Sequence, residues 1–371
     1  MAIYRLYPSK DSTLYTRVED LNAGADAMLE LGSDKFGNAM RSILQFDQSE
    51  IDDTIDNIIQ STGSYTGNLK LYTANAENLG EDSQVFALPV AESWTEGVGH
   101  YADAPYNALG VSWKYRNGNA PWDTATYASV DDGETVGGGT WILTADTNYP
   151  EGVYNGTPQT VSITGSYDHV YKGSLDINID MTPFVRVTYH DELVNNGILL
   201  RMNVEEFSTG SMSYMQLFAK DTNTIYYPSL EFKWDDSVYS STLEELATST
   251  SDIIVKDIRE TYADSGKVRF RIHARPKYPT KVFRTTNTYL TNYKLPQASY
   301  WGIKDEATGE MVIDFDTVGT KISADNTSSY FEVYMDNLFV ERYYRVVVQT
   351  TIDGTTHTIE SDKPFKLAEN G

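Results

Sequence analysis

A row of basic side chains is the part of this sequence best suited to binding chemistry. Over residues 267–275 basic residues alternate strictly with apolar ones. The basic members are Lys267, Arg269, Arg271, His273 and Arg275. Successive side chains of a β-strand point to opposite faces, so this spacing places the whole row on one face. Like charges on one face repel, and the row therefore needs acidic neighbours. These could lie on an adjacent strand, on another domain or on another subunit, and a bound phosphate or anionic glycan is a further alternative. The candidate assembly-interface residues are Lys267, Arg269, Arg271, Arg275 and Lys277.

Two of the six tryptophans are candidates for contact with a glycan or a partner protein. Trp122 follows Asn119-Ala120-Pro121, a sequence typical of a loop, and Trp141 follows the glycines at 137–139. Aromatic rings can stack on sugar faces, although burial in a core is commoner in β proteins. Trp122 is the best exposed candidate of the six, and even for Trp122 we favour packing or a subunit contact over contact with a glycan.

Signatures of catalysis are missing from the sequence. It contains no His-Glu-x-x-His, no P-loop, no Gly-x-Ser-x-Gly and no dinucleotide fingerprint. The run Gly137-Gly138-Gly139 has no lysine beside it and predicts a flexible loop rather than a phosphate cradle. Carboxylate pairs such as Asp52-Asp53 are expected by chance in so acidic a chain, and a glycosidase pair is defined by spatial separation that sequence does not show. We predict no catalytic residues and a protein that is not an enzyme.

Metal and cofactor binding has weak support. The chain has no cysteine, which excludes disulfides and thiolate metal sites, and its five histidines lack ligand spacing. Residues 146–152 carry oxygen ligands for calcium but not in the order of an EF-hand. No cofactor is predicted, and a structural calcium ion stays an alternative to an ordinary turn.

Composition limits the partners. The 371 residues carry a formal net charge of −24, which argues against binding nucleic acid through phosphates. Residues 1–235 hold 33 acidic and 13 basic side chains, a balance of −20, and residues 236–371 hold 20 and 16, a balance of −4. No apolar run approaches the ~18 residues of a membrane span, and the start lacks a signal peptide. We expect a protein made in a cytosol, with no membrane partner.

The residue patterns predict an all-β protein of two domains. The 27 tyrosines, with many Thr, Asn, Asp and Gly, favour strands joined by polar turns. Residues 175–181 alternate at period two, whereas helices are expected only at Ser49–Gln60, Pro183–Tyr189 and Ser241–Ala247. We predict a jelly-roll sandwich at 1–235, a linker at 236–251 and an immunoglobulin- or fibronectin-like sandwich at 252–371.

The first 235 residues resemble the DNRLRE domain, a jelly-roll family related to carbohydrate-binding modules. The similar pieces, in order, are Ser12–Tyr15, Leu21–Ala25, Met28–Gly32, Arg41–Asp47, Leu69–Tyr72, Trp94–Gly97, Val111–Trp113, Ile179–Val185, Asn196–Leu200 and Tyr227–Phe232. The chain departs from the family by an insertion at about 117–158, which we interpret as a contact arm.

The second domain resembles one found in virion structural proteins of contractile-tailed phages, particularly those of marine cyanobacteria. The similar pieces are Arg271–Pro279, Leu295–Asp305, Ser329–Val333 and Glu341–Arg345. The resemblance implies a structural protein of a tailed phage, in the tail, baseplate or neck. It would be assembled in the host cytoplasm and act through contacts with other virion proteins in a symmetric homo-oligomer. The alternatives are a receptor- or glycan-binding module of a phage fibre, contacting a host surface glycan, and a capsid decoration protein.

Overall fold

The structure of the protein is a computed structural model that describes residues 2–60, 64–81, 83–127, 137–147, 159–170, 172–203, 213–278 and 291–369. The fold is all-β, as predicted, and the strands within these ranges form five sheets. No helix within the described ranges is long and apolar enough to cross a membrane. The jelly-roll and immunoglobulin-like topologies remain predictions.

The chain divides into two compact units. The unit that we call N-terminal comprises Arg5–Gln60 and Thr66–Glu231, and the C-terminal unit comprises Met1–Tyr4, Ser61–Tyr65 and Phe232–Gly371. The sequence-based boundaries at 235 and 252 remain predictions.

Strands up to residue 234 form three sheets. They are β1 (Ala2–Leu6), β2 (Lys10–Tyr15), β3 (Met28–Ser33), β4 (Ala39–Gln45), β5 (Tyr65–Leu71), β6 (Thr73–Glu77), β7 (Gln84–Pro89), β8 (Thr144–Thr147), β9 (Gln159–Ser162), β10 (Gly165–Asp168), β11 (Ile177–Asp180), β12 (Ile198–Met202), β13 (Ser213–Phe218) and β14 (Ser229–Trp234). One sheet has the order β1-β14-β5-β11, a second has the order β10-β7-β12-β4-β3-β13-β6 with β2 paired to β4, and β8 pairs with β9.

Alternation of apolar residues explains how these sheets are built. Ile177 and Ile179 of β11 are buried while Asn178 and Asp180 are exposed, as the period-two pattern predicts. Leu69 and Leu71 lie opposite them on β5 and are also buried, so the two strands share one apolar face. The segments 110–115 and 140–143 form only isolated bridges outside the named strands.

Two of the three predicted helices are present. The first is an α-helix α1 at Gln48–Asp53 that continues as a π-helix at Thr54–Ile59, and the second, α2, spans Thr182–Tyr189. Short 3₁₀ turns occupy Thr16–Val18 and Met335–Asn337. The helix predicted at Ser241–Ala247 is wrong. The Ser241 hydroxyl donates to the Asp325 carbonyl, and Glu245 forms a β-bridge with Lys294, so hydrogen bonds to distant residues replace those of a helix.

The remaining strands form two sheets in the C-terminal unit. They are β15 (Ser251–Lys256), β16 (Thr261–Ala263), β17 (Lys267–Pro276), β18 (Ser299–Asp305), β19 (Met311–Ile313), β20 (Ser323–Ala324), β21 (Ser329–Tyr334), β22 (Tyr343–Ile352), β23 (Thr355–Glu360) and β24 (Phe365–Ala368). One sheet has the order β15-β17-β21-β20, and the other has the order β16-β24-β22-β18-β19 with β23 paired to β22.

Aromatic rings from both of these sheets pack into one core. Phe270 of β17 lies 5.6 Å from Phe365 of β24, and Trp301 of β18 stacks at 5.1 Å on Phe331 of β21. Leu246, within the segment predicted to be a linker, is buried in the same core. Such aromatic contacts add ~0.5–1.5 kcal/mol each beyond the burial of apolar area.

Candidate interaction surfaces

The basic row lies on β17 with the alternation that the sequence predicts. Phe270, Ile272 and Ala274 are buried in the core of the C-terminal unit, while the basic residues point to the other face. The β17 row, defined as Lys267, Arg269, Arg271, His273 and Arg275, is therefore a feature of one sheet surface.

Glu332, on the neighbouring strand β21, forms ion pairs with two members of the β17 row. Lys267 Nζ lies 2.8 Å from Glu332 Oε2, and Arg269 Nη2 lies 2.7 Å from Oε1. Burial alone would raise the pKa of Glu332, but hydrogen bonds from Lys267 and Arg269 outweigh it and lower the pKa. The Arg269 guanidinium also lies 4.3 Å from the centre of the Tyr330 ring, a cation–π contact.

Two further acids neutralise the rest of the arginines. Arg271 binds Asp325 through both terminal nitrogens, at 3.2 and 2.9 Å, and donates to the Ser328 hydroxyl. Arg275 lies 3.3 Å from Asp252, directly across the β15–β17 pair. Burial would raise the pKa of Asp325, but the Arg271 hydrogen bonds lower it to about 2.

The acids that face the β17 row thus come from the same unit. The first of the alternatives, an adjacent strand, accounts for Glu332 and Asp252, and a loop supplies Asp325. Lys277 is exposed, and its backbone N–H donates to the Thr250 carbonyl. An assembly role for the β17 row remains a prediction. Its lysine and arginines already form ion pairs within the C-terminal unit.

Trp122 and Trp141 are buried, which agrees with packing as the favoured role of Trp122 and shows that Trp122 is not exposed. Their exposed fractions are 4% and 5%, and both pack in a core cluster of the N-terminal unit with Trp94 and Trp113. The Trp122 indole N–H donates to the Ser112 carbonyl at 3.2 Å. A loop-like sequence around a tryptophan does not reveal burial, because the loop itself folds onto the sheet.

Arg41 explains why the glycine run is packed rather than flexible. Its guanidinium lies 4.7 Å from the Trp113 ring and 5.6 Å from the Trp141 ring, and it donates to the Gly138 carbonyl at 2.8 Å. Gly138 has a φ of +73°, and a Cβ there would lie 2.5 Å from Arg41 Nη1. The close approach requires glycine, which corrects the expectation of a flexible loop at 137–139. The rest of the predicted contact arm, at 128–136 and 148–158, lies outside the described residues.

A loop of the N-terminal unit is held in place by one buried asparagine. The Asn22 amide donates to the Glu96 and Val111 carbonyls, and its oxygen accepts the Gly99 N–H at 2.9 Å. Gly97 and Gly110 form a bridge across the loop, and a Cβ on Gly97 would lie 2.3 Å from Asn22 Oδ1. We name residues 96–111 the Asn22 loop.

The Asn22 loop presents apolar side chains to solvent. Val98 and Leu109 flank the glycine bridge and are 74% and 75% exposed, and Tyr106 is about half exposed. Tyr101 packs 4.7 Å from the buried Tyr15 ring, which fixes this end of the loop. Exposed apolar residues that cluster on a rigid segment are typical of a protein-contact surface.

Three carboxylates meet near the same loop. Oxygen atoms of Asp11, Glu96 and Asp221 lie within 4.8 Å of one another, a spacing that could hold a cation. Lys220 Nζ lies 3.2 Å from both Glu96 and Asp221 and so already supplies positive charge to the group. Asp11 is buried and accepts the Lys220 N–H at 2.7 Å; its burial raises its pKa to about 7. The calcium candidate at 146–152 lies outside the described residues from 148 onward.

A buried ionic triad was not found from sequence. Arg5 Nη2 lies 2.8 Å from Glu231 Oε2, and Lys70 Nζ lies 2.9 Å from Oε1. Glu231 is fully buried on β14 between strands β1 and β5. Burial would lower the pKa of Arg5, but the charge of Glu231 raises it above its usual value. The residues lie up to 226 positions apart, so no local spacing could indicate the contact.

Comparisons with known proteins do not assign a family. No family model matches the chain, and no curated protein matches it. Among solved structures, β-glucuronidase 3 of Bacteroides uniformis aligns at 10% identity and a TM-score of 0.19, over 83% of this chain and 28% of that one. A DUF4785 family protein of Legionella pneumophila aligns at 9% identity and a TM-score of 0.18, over 98% of this chain and 66% of that one. The Parabacteroides merdae β-glucuronidase aligns at 8% identity and a TM-score of 0.19, over 96% of this chain and 36% of that one. The chain therefore spans less than two thirds of each neighbour, and these scores do not indicate a shared fold.

Proposed function

We propose that the chain is a non-enzymatic structural protein of a tailed bacteriophage particle, in the tail, baseplate or neck. It acts through protein–protein contacts in a symmetric assembly. The observation that carries the proposal is the Asn22 loop, in which a buried asparagine holds Val98 and Leu109 exposed to solvent. A rigid apolar surface binds a partner protein with little loss of conformational entropy.

The assignment to a phage particle comes from the resemblance of the second domain to contractile-tail virion proteins. The residues that carry this resemblance lie on strands that pair with each other, β17 with β21 and β18 with β22. Arg342 and Arg345, within the same resemblance, bind Asp305 and Glu306 at 2.8 and 2.7 Å. These pieces make up one folded unit, which supports treating them as one resemblance rather than as scattered matches.

Charge favours a basic partner for the Asn22 loop. The N-terminal 235 residues carry a balance of −20, so a partner surface with an apolar centre and a rim of Lys and Arg is complementary. The burial of Trp122 and Trp141 removes the two aromatic rings proposed for glycan contact.

The test is incorporation into particles. In the phage that encodes the chain, Val98→Asp combined with Leu109→Asp is expected to reduce the amount of the protein in purified particles at least about tenfold. A tenfold loss corresponds to ~1.4 kcal/mol of contact free energy. The purified variant should keep the circular dichroism spectrum and melting temperature of the wild type, since both side chains are exposed.

Val194→Asp is the matched control, because Val194 is 73% exposed in the same unit but lies outside the Asn22 loop. Full incorporation of the loop variant would contradict a role of the Asn22 loop in assembly, and absence of the wild-type chain from particles would contradict the proposed function itself.

A parallel triple variant, Arg269→Ala, Arg271→Ala and Arg275→Ala, tests whether the β17 row takes part in assembly. Saturable binding of the isolated protein on a glycan array would favour the fibre alternative.

A further inference from the structure

Two edge strands of the C-terminal unit are longer than the others. The end strands β16, β19 and β20 have two or three residues, whereas β15 and β23, each paired with one neighbour within the described residues, have six. Short edge strands protect a sheet from pairing with other chains, and a long one is a template for pairing. Among the residues that the structure describes, no strand pairs with β15 on the side away from β17.

The register shows which backbone groups face this free edge. Lys277 N–H donates to the Thr250 carbonyl, and pairing continues with Asp252 opposite Arg275 and Ile254 opposite His273. Hydrogen-bonded pairs alternate along an antiparallel ladder, so residues 252, 254 and 256 bond to β17. The N–H and C=O groups of residues 251, 253 and 255 therefore point outward.

The opposite sheet extends beyond this edge. His357 and Ile359 of β23 lie opposite Thr350 and Val348 of β22, and directly opposed residues point to the same face. Val348 is in the core, so Ile359 also faces inward, yet it is partly exposed. A cavity of about 300 Å³ lies there, lined by residues of β15 and β23, including Ile253 and Ile359. The buried Nε2 of His357 has no hydrogen-bond partner among the described residues.

The outer side of the same strand is basic. Lys256, His273 and Arg275 line a second cavity of about 370 Å³, together with Asp252 and Asn292. Asp252 neutralises Arg275, while Lys256 forms no ion pair within the described part of the chain. Ile254, between the two cavities, is 45% exposed.

We propose that the free edge of β15 binds an extended segment of another protein chain by adding a strand to the sheet. The segment presents aliphatic side chains inward, toward Ile253 and Ile359, and acidic side chains outward, toward Lys256. Backbone groups at the edge provide the hydrogen bonds, and the two cavities select alternate side chains. The inference rests on the proposed assembly function and gives the chemistry of one partner.

The experiment uses the full chain and a blocked eight-residue peptide in which valine and glutamate alternate. At a peptide concentration of about ten times Kd, amide hydrogen exchange at residues 251, 253 and 255 is expected to slow about tenfold. The same peptide with proline in place of a central valine should have no effect, because proline lacks the donor N–H.

Variants identify the edge. Ile253→Pro removes an outward N–H and is expected to abolish the exchange effect at residues 251 and 255. The protein should still unfold in one cooperative transition, because proline is tolerated where the N–H faces away from the ladder, but at a lower temperature, because Ile253 packs against the core. Thr358→Pro makes the same change on β23 and should leave binding intact. If Ile253→Pro fails to fold, Lys256→Glu serves instead, with affinity for the acidic peptide expected to fall about tenfold.

Several results would overturn the inference. They are unchanged exchange at millimolar peptide, full binding by Ile253→Pro, loss of binding in Thr358→Pro alone, and protection that depends on protein concentration instead of peptide, which would make a second copy the occupant. If the peptide does not bind but the chain is present in particles, the proposed assembly function still stands. If the chain is absent from particles, that function is refuted whether or not the peptide binds.

Discussion

The buried triad and the β17 row use the same charged groups in opposite surroundings. Glu231 is fully buried and lies within 2.9 Å of both Arg5 and Lys70, whereas Glu332 holds Lys267 and Arg269 on a sheet surface open to water. In the triad Arg5 and Glu231 have lost nearly all of their hydration and depend on their partners, whereas Lys70 keeps 22% of its side chain exposed. On the β17 row water competes with every pair, so the same contacts stabilise the fold little. Solvent exposure, not distance, separates a structural ion cluster from one free to exchange partners in an interface.

The largest expected effect is in the triad. Glu231→Gln leaves Arg5 and Lys70 without a counter-charge and is expected to lower the free energy of unfolding by about 3–5 kcal/mol. Urea denaturation followed by tryptophan fluorescence measures it. Glu332→Gln is the matched control, expected to cost about 1 kcal/mol or less because its partners can turn to water. Equal losses in the two variants would remove the distinction between the clusters.

Asp11 is a buried carboxyl whose hydrogen bond and nearby positive charge, both from Lys220, do not fully offset its loss of hydration. Its pKa is about 7 in the folded protein and lower in the unfolded chain, because burial disfavours the carboxylate. The carboxyl therefore stabilises the fold below about pH 4, and this contribution is lost as the pH rises through about 7, on the order of 2–4 kcal/mol in all. Stability measured from pH 4 to pH 8 should fall across this window in the wild type. Asp11→Asn keeps the acceptor for the Lys220 N–H and should flatten that slope.

Asp325 provides the comparison of opposite sign. Its pKa is lowered to about 2, so its contribution is present above about pH 4 and lost as the pH falls toward 2. About a third of its side chain is exposed, which limits the effect to less than about 1 kcal/mol. Asp325→Asn should reduce stability at pH 7 and not at pH 2; a loss that is independent of pH would indicate a role in packing instead.

The smallest effect is expected at the centre of the β17 row. Arg269→Ala should cost less than about 1 kcal/mol, since Glu332 keeps Lys267 as its partner. The cost should shrink further between 0.05 and 0.5 M salt, where surface charges are screened. A larger loss that persists in high salt would show that the row is structural and would count against its being an assembly surface.

Sequence reasoning succeeded where a pattern is local and failed where a contact is distant. The alternation in β17 and the helix at Thr182–Tyr189 follow from neighbouring residues. Ser241–Ala247 carried a helix signal, but Asp325 and Lys294 capture its polar groups. The Asn22 loop was missed although Leu21–Ala25 and Trp94–Gly97 were both noticed, because nothing in either piece indicates that they touch.

The sequence by itself determined the all-β class, the two faces of β17 and the acidic character of the first 235 residues, since residue type and period two act over a few positions. Only the tertiary structure decided which acids meet the β17 row, that Trp122 and Trp141 are buried, that Glu231 lies between two cations and that one edge of β15 is unpaired within the described residues. Those facts depend on which strands become neighbours, and residues far apart along the chain set that choice together through the core that they bury.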